Sequence, residues 1–164
     1  MKRTYSKWII LTLAVLVNVF ILVNAGINGA ISSQESGWFA NFAKNVVNTF
    51  IPNYINEANF DLFALTIRKA IGHFSLFLVD GILSTLALHL FLKDTKFGLG
   101  YFCVSFSLIL GLVVAMISEL IQIFTPDRFG SWADIGIDFA GYLVGLALLI
   151  VILVFSNQIK FKKE

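Results

Sequence analysis

Four long apolar runs dominate this chain: Trp8 to about Ala25, His73 to Leu92, Leu99 to Phe124 and Ala133 to Phe155. Each approaches the roughly 20 residues that carry a helix across a bilayer. In hydrocarbon every unpaired backbone N–H or C=O costs several kcal/mol, so spanning segments are helices or closed barrels. Runs this long without polar alternation select helices. Composition agrees, with 58% hydrophobic residues against 13% charged and a mean hydropathy of +0.85, too apolar for a water-soluble domain. The expected fold is an all-α integral membrane protein, one domain over 1–164. Its transmembrane helices are placed at about 8–25, 73–92, 99–124 and 133–155, with an outer loop over 26–68.

Basic residues set the expected topology. Lys2, Arg3 and Lys7 precede the first run, Lys93 and Lys96 separate the second from the third, and Lys160, Lys162 and Lys163 follow the fourth. The positive-inside rule puts all three clusters, and therefore both termini, in the cytoplasm. A cleavable signal peptide is the alternative reading of the first run, given its basic start and the small residues at Ala25, Gly29 and Ala30. Cleavage would leave three spans. The one cysteine, Cys103, lies within an apolar run, so no internal disulfide forms and a small core or lipid-facing side chain is expected. A formal charge of +2, without a basic run interleaved with aromatics, argues against a nucleic-acid partner. No internal repeat is visible, so nothing in the sequence supports an inverted-repeat transporter.

Within the outer loop, Trp38, Phe39, Phe42, Val46, Val47 and Phe50 recur at helical spacing, with Asn41, Lys44, Asn45 and Asn48 on the other side. This predicts an amphipathic helix lying in the membrane interface, broken after Ile51 by Pro52; an ordinary packed helix is the alternative. A second amphipathic stretch, Phe60 to Ile71, leads into the second span and places Arg68 and Lys69 at its mouth. Between the third and fourth spans, Thr125 to Trp132 carries Pro126 and Gly130 and reads as a tight turn.

Ionisable residues at membrane depth are costly, about 2.5–3.5 kcal/mol at a helix centre on insertion scales, so each demands a reason. Lys69 and His73 are one turn apart, and Asp80, seven residues further, extends the same stripe. Glu119 and Gln122 fall near the outer end of the third span, and Asp134 and Asp138 at a similar height on the fourth. At 1.5 Å per residue Glu119 and Asp138 lie roughly 7–8 Å inside their helix ends. Gly136, Gly141 and Gly145 thin the fourth helix and let neighbours approach. Gly111 would serve either a homo-oligomeric contact or internal packing, and His89 reads as interfacial. Chemically, Arg68, Lys69 and Arg128, with Gln122 and Asp138, suit ligand binding, whereas His73, Glu119 and Asp134 are the acid–base candidates. A phosphate-bearing lipid headgroup fits that mixture. An ion-pair network that merely fixes helix register is the plainer reading. His73 with three carboxylates has the donors for a divalent cation, but no short ligand motif such as H-E-x-x-H is present, and no metal or other cofactor is expected. Ser118 and Ser131 lack the setting of a nucleophile.

Arg68-Lys69-Ala70-Ile71-Gly72-His73-Phe74, Glu119-Leu120-Ile121-Gln122, Arg128-Phe129-Gly130-Ser131-Trp132-Ala133-Asp134 and then Gly141 together resemble the VanZ-like family of membrane proteins in order and spacing. The resemblance covers about residues 8–155. It implies a bacterial plasma-membrane protein associated with low-level resistance to the glycopeptide teicoplanin, engaging a membrane lipid or lipid-linked cell-wall component. A membrane-embedded hydrolase or transferase acting on a phospholipid, and a small ion-coupled transporter with Asp80 as proton site, are the other function classes. Two positions depart from the family pattern. Asp138 stands where the family usually has Asn, and Leu76 and Phe77 stand where an acidic residue and Tyr often follow the His-Phe pair.

Overall fold

The computed structural model describes residues 2–93 and 101–156. Lys96, Lys160, Lys162 and Lys163, which carry part of the topology argument, lie outside the described residues. Helices follow in the order α1 (Lys2–Ala25), α2 (Gly29–Phe50), α3 (Phe60–Ile67), a π-helical segment (Arg68–Phe74), α4 (Ser75–Leu92), α5 (Tyr101–Ile123) and α6 (Trp132–Phe155). Ser6–Ala25, Phe60–Leu92, Phe102–Ile123 and Trp132–Phe155 are long and apolar enough to cross a membrane. The chain is thus an all-helical, multi-pass membrane protein, as its hydropathy dictates.

Most of the expected outer loop is helical. Asn28 caps α2 by accepting from the Ala30 N–H at 2.8 Å, which starts that helix nine residues before Trp38. It stops where Pro52 forces Ile51 into an extended conformation. The following turn is held by asparagines. Asn48 donates to the Ile55 carbonyl at 2.8 Å and accepts from its N–H at 2.9 Å, and Asn59 donates to the Tyr54 carbonyl at 2.8 Å. Trp38, Phe39, Phe42, Val46 and Phe50 are exposed, as an apolar outer face requires. The second spanning helix runs 33 residues from Phe60, well before His73.

Glycines set the closest helix contacts. A Cβ on Gly141 or Gly145 would collide with the Phe74 or Leu78 carbonyl, and one on Gly81 with the Tyr142 carbonyl, so α4 and α6 approach backbone to backbone. Gly136 takes no part, since nothing lies within 4 Å of its added Cβ. Gly111 packs internally, against the Tyr142 ring. Tyr142 is fully buried, and its hydroxyl meets Ser107 at 2.9 Å, which in turn meets Thr85 at 2.5 Å. Ile21, Phe77, Val114, Ala115 and Leu146 complete the apolar centre, and Cys103 takes the core position of its two expected alternatives.

At the end of the bundle where α1 finishes and α6 begins, two turns dock on each other. The Gly29 N–H donates to the Pro126 carbonyl at 3.0 Å, Thr125 Oγ1 to the Ala25 carbonyl at 3.2 Å and Asn28 to Asp127 at 3.2 Å. A side chain at Gly29 would strike the Asp127 carbonyl. The first and last helical hairpins thereby close a ring around the polar residues described next.

Candidate functional site

The π-helical segment is built from i to i+5 bonding, with the Ser75 N–H and hydroxyl both reaching the Ala70 carbonyl. It presents Lys69 and His73 to α6 as successive rungs. Lys69 Nζ meets Asp134 Oδ1 at 2.6 Å, and His73 Nδ1 meets Asp138 Oδ1 at 3.0 Å. The first rung is partly open to the surface, with side-chain exposures of 32% and 14%; the second is closed on the Asp138 side, at 1%.

Glu119 on α5 is the third contributor. Gln122 donates to its Oε1 at 2.5 Å and the backbone N–H of Ser131 to its Oε2 at 2.9 Å. Ser131 also caps α6 through the Ala133 N–H, so one residue starts the helix and orients the carboxylate. Arg128 Nη1 reaches Gln122 Oε1 at 3.3 Å, extending the network toward the turn. Burial, the nearby Arg68 guanidinium and, in opposition, Glu119 leave the Arg128 pKa below its ordinary value. An arginine so far above neutral pH stays charged. Among the described residues, the buried Nε of Arg128 and Oδ2 of Asp138 have no hydrogen-bond partner.

A cavity of about 200 Å³ opens beside this network. Its polar wall includes Arg68, His73, Gln122, Arg128 and Asp138, with Ser32 and Ser36 from α2; its apolar wall includes Ile21, Phe39, Ile71 and Phe77. Of the eight residues expected in a site, seven belong to three hydrogen-bonded side-chain groups: Lys69 with Asp134, His73 with Asp138, and Glu119 with Gln122 and Arg128. Arg68 joins them as a cavity neighbour, its Nη1 donating to Ser33 at 3.2 Å. Lys69 and Asp134 face each other outside the cavity lining.

Asp80 does not extend the stripe. It is fully buried against α1, where Asn18 donates to its Oδ1 at 2.7 Å and Ser84 at 2.6 Å. The path from His73 to Asp80 is almost wholly ordinary α4, and what divides the stripe is the helix packed against each level, α6 at His73 and α1 at Asp80. His89, in the last turn of α4, is buried at 6% exposure. The α2 serines escaped sequence reasoning because residues 26–37 lack apolar periodicity; the Asn28-Gly29 cap signal was the available clue.

A protein-family model described as VanZ/LLP1 matches residues 8–154. No curated protein and no solved structure matches the chain. The family match spans nearly the whole sequence, and the chain belongs to the VanZ/LLP1 family.

Proposed function

We propose that this VanZ/LLP1 member binds an anionic, lipid-linked component of the bacterial cell envelope at the outer leaflet, and that teicoplanin resistance is the cellular readout of that binding. The observation carrying this reading is the two-sided cavity, with Arg68 and Arg128 in its polar wall and aliphatic and aromatic side chains opposite. Two like charges near each other at a buried edge repel, and a phosphate between them relieves the repulsion while accepting forked guanidinium bonds. The apolar wall suits the first carbons of the lipid. In this orientation α2 lies along the membrane interface with Trp38 and Phe42 in the headgroup layer.

The test is binding of undecaprenyl-phosphate-type lipid to purified protein in nanodiscs, comparing wild type with the Arg68→Ala/Arg128→Ala double variant. Loss of two charge-assisted contacts is expected to weaken binding by tenfold or more, at about 1.5–3 kcal/mol each. Unchanged affinity in the folded double variant would sink the reading. The same pair, expressed in a sensitive Gram-positive host at matched levels, should lose teicoplanin protection while vancomycin susceptibility stays constant.

A second reading, a hydrolase or transferase on the same lipid, is favoured by one observation: His73 is held through Nδ1 by buried Asp138 and lines the cavity. That arrangement suits a general base. Chemical conversion of the bound lipid, lost in His73→Ala, would favour it over binding alone.

A further inference from the structure

Three helices bring His73, Glu119 and Asp138 to one point, with a ligand atom from each lying within 4.8 Å of the others. Nitrogen and oxygen ligands at about 2.0–2.2 Å from a first-row divalent ion sit about 4.2 Å apart across it and closer when adjacent. Side-chain movements on the order of 1 Å would close this set around a single ion. Sequence spacing could not reveal it, because the ligands come from three separate helices instead of one short motif.

The charge distribution points the same way. Glu119 is 2% exposed and Asp138 1% exposed, yet the groups that bond them, the Gln122 amide, the Ser131 backbone N–H, the His73 ring and the Ser118 hydroxyl, include no lysine or arginine. Lys69 bonds Asp134, and Arg128 bonds Gln122. Two buried carboxylates beside a single imidazole are costly, and Asp138 Oδ2 is buried with no partner among the described residues. A divalent cation would neutralise both. The surroundings also suit ligands held in place: Gln122 and Ser131 fix the two Glu119 oxygens, each of which keeps a second lone pair.

The geometry points to a divalent metal site formed by His73 Nδ1 or Nε2, Glu119 and Asp138, taking a first-row ion of the Mn²⁺ or Zn²⁺ type. One imidazole and two carboxylates make a mixed nitrogen–oxygen set, suited to such ions and without the thiolates a softer ion prefers. The site adjoins the cavity containing Arg68 and Arg128, so a bound ion would present open coordination positions toward an anionic ligand. This inference does not depend on the lipid reading, since it concerns the chain's own ligands.

Full-length protein, purified in detergent and stripped with EDTA, is to be dialysed against Mn²⁺ and, separately, Zn²⁺, with bound metal counted by elemental analysis. Bound Mn²⁺ is also examined by pulsed electron paramagnetic resonance for coupling to imidazole ¹⁴N. One ion of at least one metal per wild-type chain is expected, weakened tenfold or more in Glu119→Gln and Asp138→Asn. Where Mn²⁺ binds, the ¹⁴N coupling is expected to vanish in His73→Gln and persist in His89→Ala. Wild type that retains neither metal overturns the proposal without recourse to any variant. Binding equal to wild type in folded Glu119→Gln and Asp138→Asn, or coupling that survives His73→Gln, also overturns it. Wild type that binds phosphate lipid but retains neither metal would sink this inference alone; metal binding without lipid binding would sink only the lipid reading.

Discussion

His73 and Asp138 meet at 3.0 Å one helical turn beyond the 2.6 Å contact of Lys69 with Asp134. The two pairs bind the π segment to the start of α6 like consecutive rungs, but their environments differ. The first is partly exposed and electrically self-contained; the second lies beside Glu119 at the cavity wall.

Removing one member of the first pair therefore tests structure more than site chemistry. Lys69→Met should destabilise the protein by about 0.6–2 kcal/mol, the range for polar contacts between membrane helices, and the exchanged Lys69→Asp/Asp134→Lys variant should recover part of the loss. Reversible unfolding in mixed micelles reads both.

The glycines of α6 should separate cleanly. Gly141→Ala and Gly145→Ala force a Cβ into the facing Phe74 and Leu78 carbonyls and should each cost about 1–3 kcal/mol. Gly136→Ala meets open space and should be neutral or stabilising by up to about 1 kcal/mol. Thermal denaturation in detergent measures the contrast.

Gly29→Ala should disturb the site without altering any cavity side chain. Its methyl group would strike the Asp127 carbonyl and crowd Arg128 Cγ, prising apart the docked turns. Weaker anionic-lipid binding with little change in helix content by circular dichroism is the expected outcome.

Asp80→Asn should leave lipid affinity and teicoplanin protection as in wild type, because Asp80 is buried with Asn18 and Ser84 and does not line the cavity. Loss of function there, with the protein folded and inserted, would instead favour an ion-coupled carrier.

How far the sequence discloses this arrangement depends on the kind of information required. Hydropathy and length suffice for the four spanning helices, and the polar residues near their ends converge because antiparallel helices bring those ends to one level. The pairing of Lys69 with Asp134 was not legible, since it depends on how α4 is rotated toward α6. Asp80 shows why: helical spacing places it below His73, but helix packing decides which neighbour covers each level, α6 at His73 and α1 at Asp80. Gly136 shares the small size of Gly141 and Gly145 but not their close contacts, which only the helix crossing decides. The Asn28 cap was a readable signal, obscured by the lack of periodicity in the segment that follows.

The winding of Arg68–Phe74 also acts as a clutch between two halves of one long helix. Rewinding it to ordinary α geometry at unchanged length would leave the contacts of Phe74 and Leu78 with Gly141 and Gly145 engaged. Everything upstream, including Arg68 and Lys69, would then turn about the helix axis relative to α6, because an i to i+5 turn takes more residues than the 3.6 of an α turn. The cationic side of the site is thus set by angular phase as much as by residue identity, so a chain retaining every polar residue could still lose the site by slipping one step.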